Sequence, residues 1–238
     1  MTEFMLHARD ITKSFTLHEQ RGVQLDVLQA AELTARANEC VALAGPSGTG
    51  KSTLLKALYG NYRVNEGEIL VRHLGSVIDL VRASAEQILA VRRITIGYVS
   101  QFLRVIPRIP SLELVAEPLI DRGIAPQEAL MRAAELLERL NIPSRLQSLP
   151  PATFSGGEQQ RINLARSLVC DWPILLLDEP TASLDAVNRA IVVELIGEAK
   201  AKGCAIIGIF HDPDMHGTVI DHVLQLQQIN QKTQESPT

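Results

Sequence analysis

Two kinds of apolar pattern divide the chain. Uninterrupted runs occur at residues 40–44 (Cys-Val-Ala-Leu-Ala), 174–177 (Ile-Leu-Leu-Leu) and 205–210 (Ala-Ile-Ile-Gly-Ile-Phe). A strand without polar alternation is one covered on both faces, as in a parallel sheet flanked by helices. A helical period appears after Pro126, where Leu130, Ala133, Ala134, Leu137 and Leu140 fall on one face before Asn141 and Pro143 end it. Residues 53–59 read as a helix start directly after the first apolar run, residues 66–80 as a hairpin, and residues 4–34 as short strands separated by turns. Asn38 can adopt left-handed backbone and so make a tight turn into the run at residue 40. From Gln225 the chain is polar and Gln-rich, which predicts a fraying tail over residues 225–238. The elements predict an α/β fold: a core over residues 1–84 and 161–224, with a mostly parallel sheet and an N-terminal β-layer, interrupted by a helical subdomain over residues 85–160.

Composition narrows the classes of function. A hydrophobic share of 46% and a charged share of 21% are those of a soluble globular chain. A net charge of −4 and 4% aromatics give neither the basic footprint nor the stacking platforms of a nucleic-acid binder, so no nucleic-acid partner is expected. No apolar run is long enough for a membrane span, and the N-terminus has an early acid without an apolar h-region. A cytoplasmic protein without direct membrane insertion is the expectation. Cys40, Cys170 and Cys204 lack metal-ligand spacing and read as buried small apolar thiols.

The chemistry is concentrated in Gly45-Pro46-Ser47-Gly48-Thr49-Gly50-Lys51-Ser52, followed by Thr53. This is a phosphate-binding loop pattern in the strand–turn–helix context that the pattern needs. Glycines let successive N–H groups curl around an anion, Lys51 places a charge on the β- and γ-phosphates, and the Ser52 hydroxyl can ligate Mg²⁺. Further along, the run at 174–177 ends in Asp178-Glu179, two carboxylates at the tip of a strand. Asp178 suits a Mg²⁺ ligand and Glu179 a base that orients or deprotonates the attacking water. Ser155, Gly156, Gly157 and Glu158 open an amphipathic helix, a second site for an anion. Gln101 follows a short apolar run and offers a neutral amide to Mg²⁺ or water. His211 follows the run at 205–210 and can donate to a γ-phosphate.

Taken together, these motifs resemble the ATP-binding-cassette (ABC) ATPases over nearly the whole chain. The resemblance implies an ABC nucleotide-binding domain: a RecA-like, mostly parallel core with an N-terminal antiparallel β-layer and an inserted helical subdomain. It implies ATP and Mg²⁺ as cofactors, and a second cassette as partner, in a homodimer or heterodimer. In that family ATP lies between the phosphate loop of one cassette and the signature of the other, here residues 154–159 with Ser155 central. Phe15 matches the adenine-stacking aromatic, Gln101 the glutamine loop, Asp185 the loop that crosses the dimer, and His211 the switch histidine. Glu158 stands where Gln is commoner, a position expected to be polar and peripheral to the phosphates.

Finer stretches, among them residues 101–109, Tyr59-Gly60-Asn61-Tyr62 and Val77-Ile78-Asp79-Leu80, resemble the PhnL-type cassettes of the phosphonate carbon–phosphorus lyase system. That resemblance implies soluble lyase subunits as partners. It also implies a supporting role in forming ribose 1-methylphosphonate 5-triphosphate from ATP and methylphosphonate. The alternative is a membrane transport ATPase, since residues 102–119 and the Glu-containing signature also resemble lipoprotein- and macrolide-exporter cassettes.

Overall fold

The computed structural model describes residues 3–17, 23–100, 108–210 and 217–228. Two sheets face each other. The first is antiparallel, in the order β2 (Val23–Arg36), β1 (Phe4–Leu17), β4 (Glu66–His73), β5 (Ser76–Asp79). The second is wholly parallel, in the order β6 (Ile96–Val99), β7 (Ile174–Asp178), β8 (Ala205–Ile209), β3 (Cys40–Ala44), β9 (His222–Gln225).

The uninterrupted apolar runs have the predicted cause. Val41, Leu43, Ile174, Leu176, Ala205, Ile207 and Ile209 pack on one side with helix α1 (Lys51–Leu58) and the inner face of the antiparallel sheet. The alternate residues Cys40, Ala42, Leu175, Leu177 and Ile206 pack on the other side. There they meet α3 (Ser111–Ile120), α4 (Pro126–Arg139), α6 (Gly156–Leu168) and α7 (Ala186–Ala201). Also among the described residues are α2 (Ala85–Ile94), the single turn α5 (Ser144–Gln147) and a 3-10 turn at Pro151–Thr153. In α4, Pro126 occupies the first turn and Ala129, Ala133 and Leu137 form the buried stripe. Asn38 is left-handed (φ 64°) at the turn into β3. All three cysteines are buried, and burial pushes the thiols of Cys40 and Cys204 up to about 12, leaving them inert.

The structure departs from the sequence reading in three places. Residues 4–34 form two long strands rather than several short ones. Register shifts in the β1–β2 pairing, with Asp10 (φ 55°) and Ala30 (φ 45°) left-handed, break the alternation that would have marked long strands. Within residues 85–160, α2 and β6 pack with the core, and α6 runs through position 160. The segment expected to fray begins instead in an edge strand. Gln225 pairs with Ala44, and Leu226 N–H donates to Ala44 O at 2.8 Å. Only four residues long and mostly exposed, β9 carries too little apolar pattern to announce itself.

Candidate functional site

All strands of the second sheet run the same way, so the chain leaves β3, β6, β7 and β8 at one edge. Chain segments after a parallel sheet's carboxyl ends are where such folds bind ligands. Residues 45–50 leave β3 there and enter α1, with Gly50 in left-handed backbone (φ 88°) as the N-cap. Glycine is required at both ends of this loop. A Cβ on Gly45 (φ 142°) would lie 2.5 Å from Leu226 O, and one on Gly50 would lie 2.7 Å from Val27 O. Thr49, 3% exposed, ties the loop with Oγ1 to Pro46 O at 3.0 Å, while Pro46, Ser47 and Gly48 face solvent. Lys51 Nζ donates to Gly45 O and Pro46 O at 2.7 and 2.8 Å, which draws the ammonium back over the loop it follows. Thr53 is half-buried in the first turn of α1.

The two strand-tip carboxylates sit differently. Asp178 is 5% exposed; Ser52 Oγ donates to its Oδ1 at 3.1 Å and Tyr98 OH to its Oδ2 at 3.1 Å. Glu179 is half-buried, held in left-handed backbone (φ 51°), with its N–H on Ile209 O at 3.2 Å. A glutamate in that region costs about 1 kcal/mol or more, and such strain collects at working sites. The hydroxyl and carboxylate oxygens of Ser52 and Asp178 form a hard donor pair of the kind Mg²⁺ takes. The loop fits a polyphosphate because close-approach glycines leave its backbone open to an anion.

Phe15, on β1, meets Tyr62 edge-on at 5.4 Å between centroids, with Lys13 Nζ 4.7 Å from its own centroid. A half-buried aromatic next to a cation can carry a purine on its remaining surface. Gln101 and His211 lie outside the described residues.

Ser155 is the exposed N-cap of α6, with Gly156 and Gly157 in the first turn. Glu158 folds back onto Ser155. Ser155 Oγ and N–H both donate to Glu158 Oε2, at 2.6 and 2.9 Å, and Glu158 N–H donates back to Ser155 Oγ at 3.4 Å, forming a capping box. The Ser155 hydroxyl bond, then the backbone bond, hold the Glu158 carboxyl below its usual range. The turn that carries Asp185 lies alongside, since a Cβ on Gly157 would stand 3.4 Å from Ser183 O. Asp185 caps α7, accepting from Asn188 N–H at 2.9 Å and from Asn188 Nδ2 at 2.7 Å.

A cavity of about 1110 Å³ opens beside Ser52 and Asp178, walled by Tyr59, Arg92, Glu117 and Arg166 between the core and α3. A second, of about 490 Å³, lies near the amino-terminal ends of β7 and β8 among Leu136, Cys170, Leu195 and Cys204, and holds none of the motif residues. Sequence reasoning missed Tyr98. It lies on the strand next to β7, opposite Leu176 and two residues short of Asp178 in register, a relation that only the strand pairing reveals.

Comparison with known proteins agrees with this geometry. A family described as ABC transporter matches residues 28–182. The lipoprotein-releasing system ATP-binding protein LolD of Chromohalobacter salexigens is 37% identical over 95% of this chain and 92% of its own. The macrolide export ATP-binding/permease protein MacB of Marinobacter nauticus is 35% identical over 89% of this chain, which spans only 32% of that larger protein. A solved dimer of the ATP-binding cassette MJ0796, in a post-hydrolysis state bound to ADP and Pi, superposes with a TM-score of 0.82 at 28% identity, covering 94% of each chain. These relatives correct the finer resemblance to phosphonate-lyase cassettes: the likeness is to lipoprotein-release and macrolide-export proteins. The stretches at 59–62 and 77–80 that suggested otherwise lie at a helix end and in a hairpin of the general fold, where cassettes of different systems can agree. With loop, strand-tip carboxylates and signature helix built on this two-sheet frame, the chain belongs to the ABC transporter family of ATP-binding cassettes.

Proposed function

We propose that the chain is the ATP-hydrolysing subunit of a membrane exporter of the lipoprotein-releasing or macrolide-export type. The observation that carries this is the 37% identity to a lipoprotein-releasing ATP-binding protein along 95% of the chain. Among the described residues no helix is long and apolar enough to cross a membrane, so the chain would meet a permease from outside the bilayer. The cavity between the core and α3 is the docking place for it, with cationic Arg92 and Arg166 beside anionic Glu117.

In this reading Phe15 stacks on adenine, and residues 45–53 enclose the phosphates with Lys51 neutralising the β- and γ-oxygens. Ser52, Asp178 and Gln101 would hold Mg²⁺, which would supply further positive charge to those oxygens. Glu179 takes the proton of the attacking water, and His211 donates to the γ-phosphate. Two cassettes close head to tail, with Ser155, Gly156, Gly157 and Glu158 of one on the nucleotide of the other and Asp185 near the crossing. The γ-phosphate contacts hold the pair together, and their loss on hydrolysis releases it.

Ser155→Arg tests the composite site. It puts a bulky cation at an exposed helix N-cap. Hydrolysis is expected to cease while a single chain still binds ATP with parental affinity by equilibrium fluorescence. Loss of binding by the single chain would place Ser155 in its own chain's pocket and end the two-cassette reading.

A further inference from the structure

One side chain outside the motifs reaches the metal carboxylate. Tyr98 comes from β6, and its hydroxyl donates to Asp178 Oδ2 at 3.1 Å while Ser52 holds Oδ1 at the same distance. A carboxylate gripped at both oxygens by donors on different elements cannot rotate freely. The phenol is itself braced. Its ring stacks on Tyr59 with centroids 5.0 Å apart and planes 27° apart. Tyr59 in turn lies 4.6 Å from the Arg92 guanidinium, which donates to Tyr59 O at 2.8 Å and to Asn61 Oδ1 at 2.9 Å.

We propose that Tyr98 is a positioning residue for Mg²⁺: by holding Oδ2 it fixes the Asp178 carboxylate so that Oδ1 stays with Ser52. Outer partners of metal-binding carboxylates set ligand orientation, and their removal commonly weakens metal binding about 10- to 100-fold. The inference rests on the Mg²⁺ site proposed for Ser52 and Asp178. Among the described residues, the column Arg92–Tyr59–Tyr98 also lines the cavity between core and α3, so an occupant there touches residues one step from the carboxylate.

Tyr98→Phe keeps the stack on Tyr59 and removes only the donor. The test measures binding of trinitrophenyl-ATP by fluorescence, in EDTA and across a Mg²⁺ titration, with thermal melting alongside. Affinity in EDTA is expected to be unchanged, and the Mg²⁺ concentration for half-maximal enhancement to rise about tenfold. An unchanged half-maximal Mg²⁺ in the variant would overturn the positioning role. Equal weakening with and without Mg²⁺ would also overturn it, by showing that Tyr98 only supports the pocket. A parent chain without any Mg²⁺ enhancement would remove the metal site itself, and this inference with it.

Discussion

Lys51→Ala abolishes ATP hydrolysis and weakens nucleotide binding by about a hundredfold or more. Hydrogen bonds to charged groups contribute roughly 1.5–3 kcal/mol each, and one ammonium serving two phosphates removes more than one such contact when it is lost. Its carbonyl partners show how the residue is held: Nζ reaches back to Gly45 O and Pro46 O at 2.7 and 2.8 Å, so the charge is already folded over the loop. The loop's shape depends little on it. Gly45 and Gly50 set the backbone path, and Thr49 pins the turn to Pro46 O. The variant should therefore melt close to the parent while failing to bind nucleotide in a fluorescence titration. A variant that bound ATP with parental affinity would mean that the phosphates sit elsewhere. Lys51→Arg is expected to rescue little, because a planar fork does not replace a compact point charge in a closed loop.

Glu179→Gln has the opposite signature. Hydrolysis falls by about a hundred- to a thousandfold, while ATP binding is retained. The substitution is isosteric. It leaves the N–H bond to Ile209 O and the left-handed backbone as they are, and removes only the capacity to take a proton. With hydrolysis blocked, the γ-phosphate contacts persist, and ATP should hold two chains together. Single-turnover kinetics separates the chemical step from release, and light scattering gives the mass of the ATP-bound species. Hydrolysis at the parental rate would show that Glu179 is not the base. Asp178, buried at the end of β7, would not substitute for it, being occupied by Ser52 and Tyr98.

Much of this architecture is written in the chain, because its signals are local. Continuous apolar runs mark strands covered on both faces, and β3, β7 and β8 lie where those runs fall. Pro126 and the stripe through Ala133 and Leu137 mark α4. The phosphate loop is legible because the glycines at 45 and 50 answer to backbone that a side chain would strike. What was hidden depends on contacts distant in sequence. The strand β9 exists because Leu226 and Gln225 find a free edge at Ala44, and four mostly exposed residues give no period to read. Tyr98 looks like one more apolar strand residue until β6 pairs with β7 and its hydroxyl meets Asp178. The bond between Glu158 and Ser155 likewise shows only once the helix start folds the carboxylate back. The choice between lyase and exporter was not settled by the short stretches at 59–62, 77–80 and 101–109, and likeness to lipoprotein-release and macrolide-export proteins along most of the chain favours the exporter.

The most direct test of the exporter reading is affinity capture of the Glu179→Gln chain with Mg-ATP from its native host, analysing soluble and detergent-solubilised membrane fractions separately by mass spectrometry. The account predicts an integral membrane permease in the membrane fraction, in amounts comparable to the cassette. Capture of soluble phosphonate-lyase subunits without a permease would contradict it.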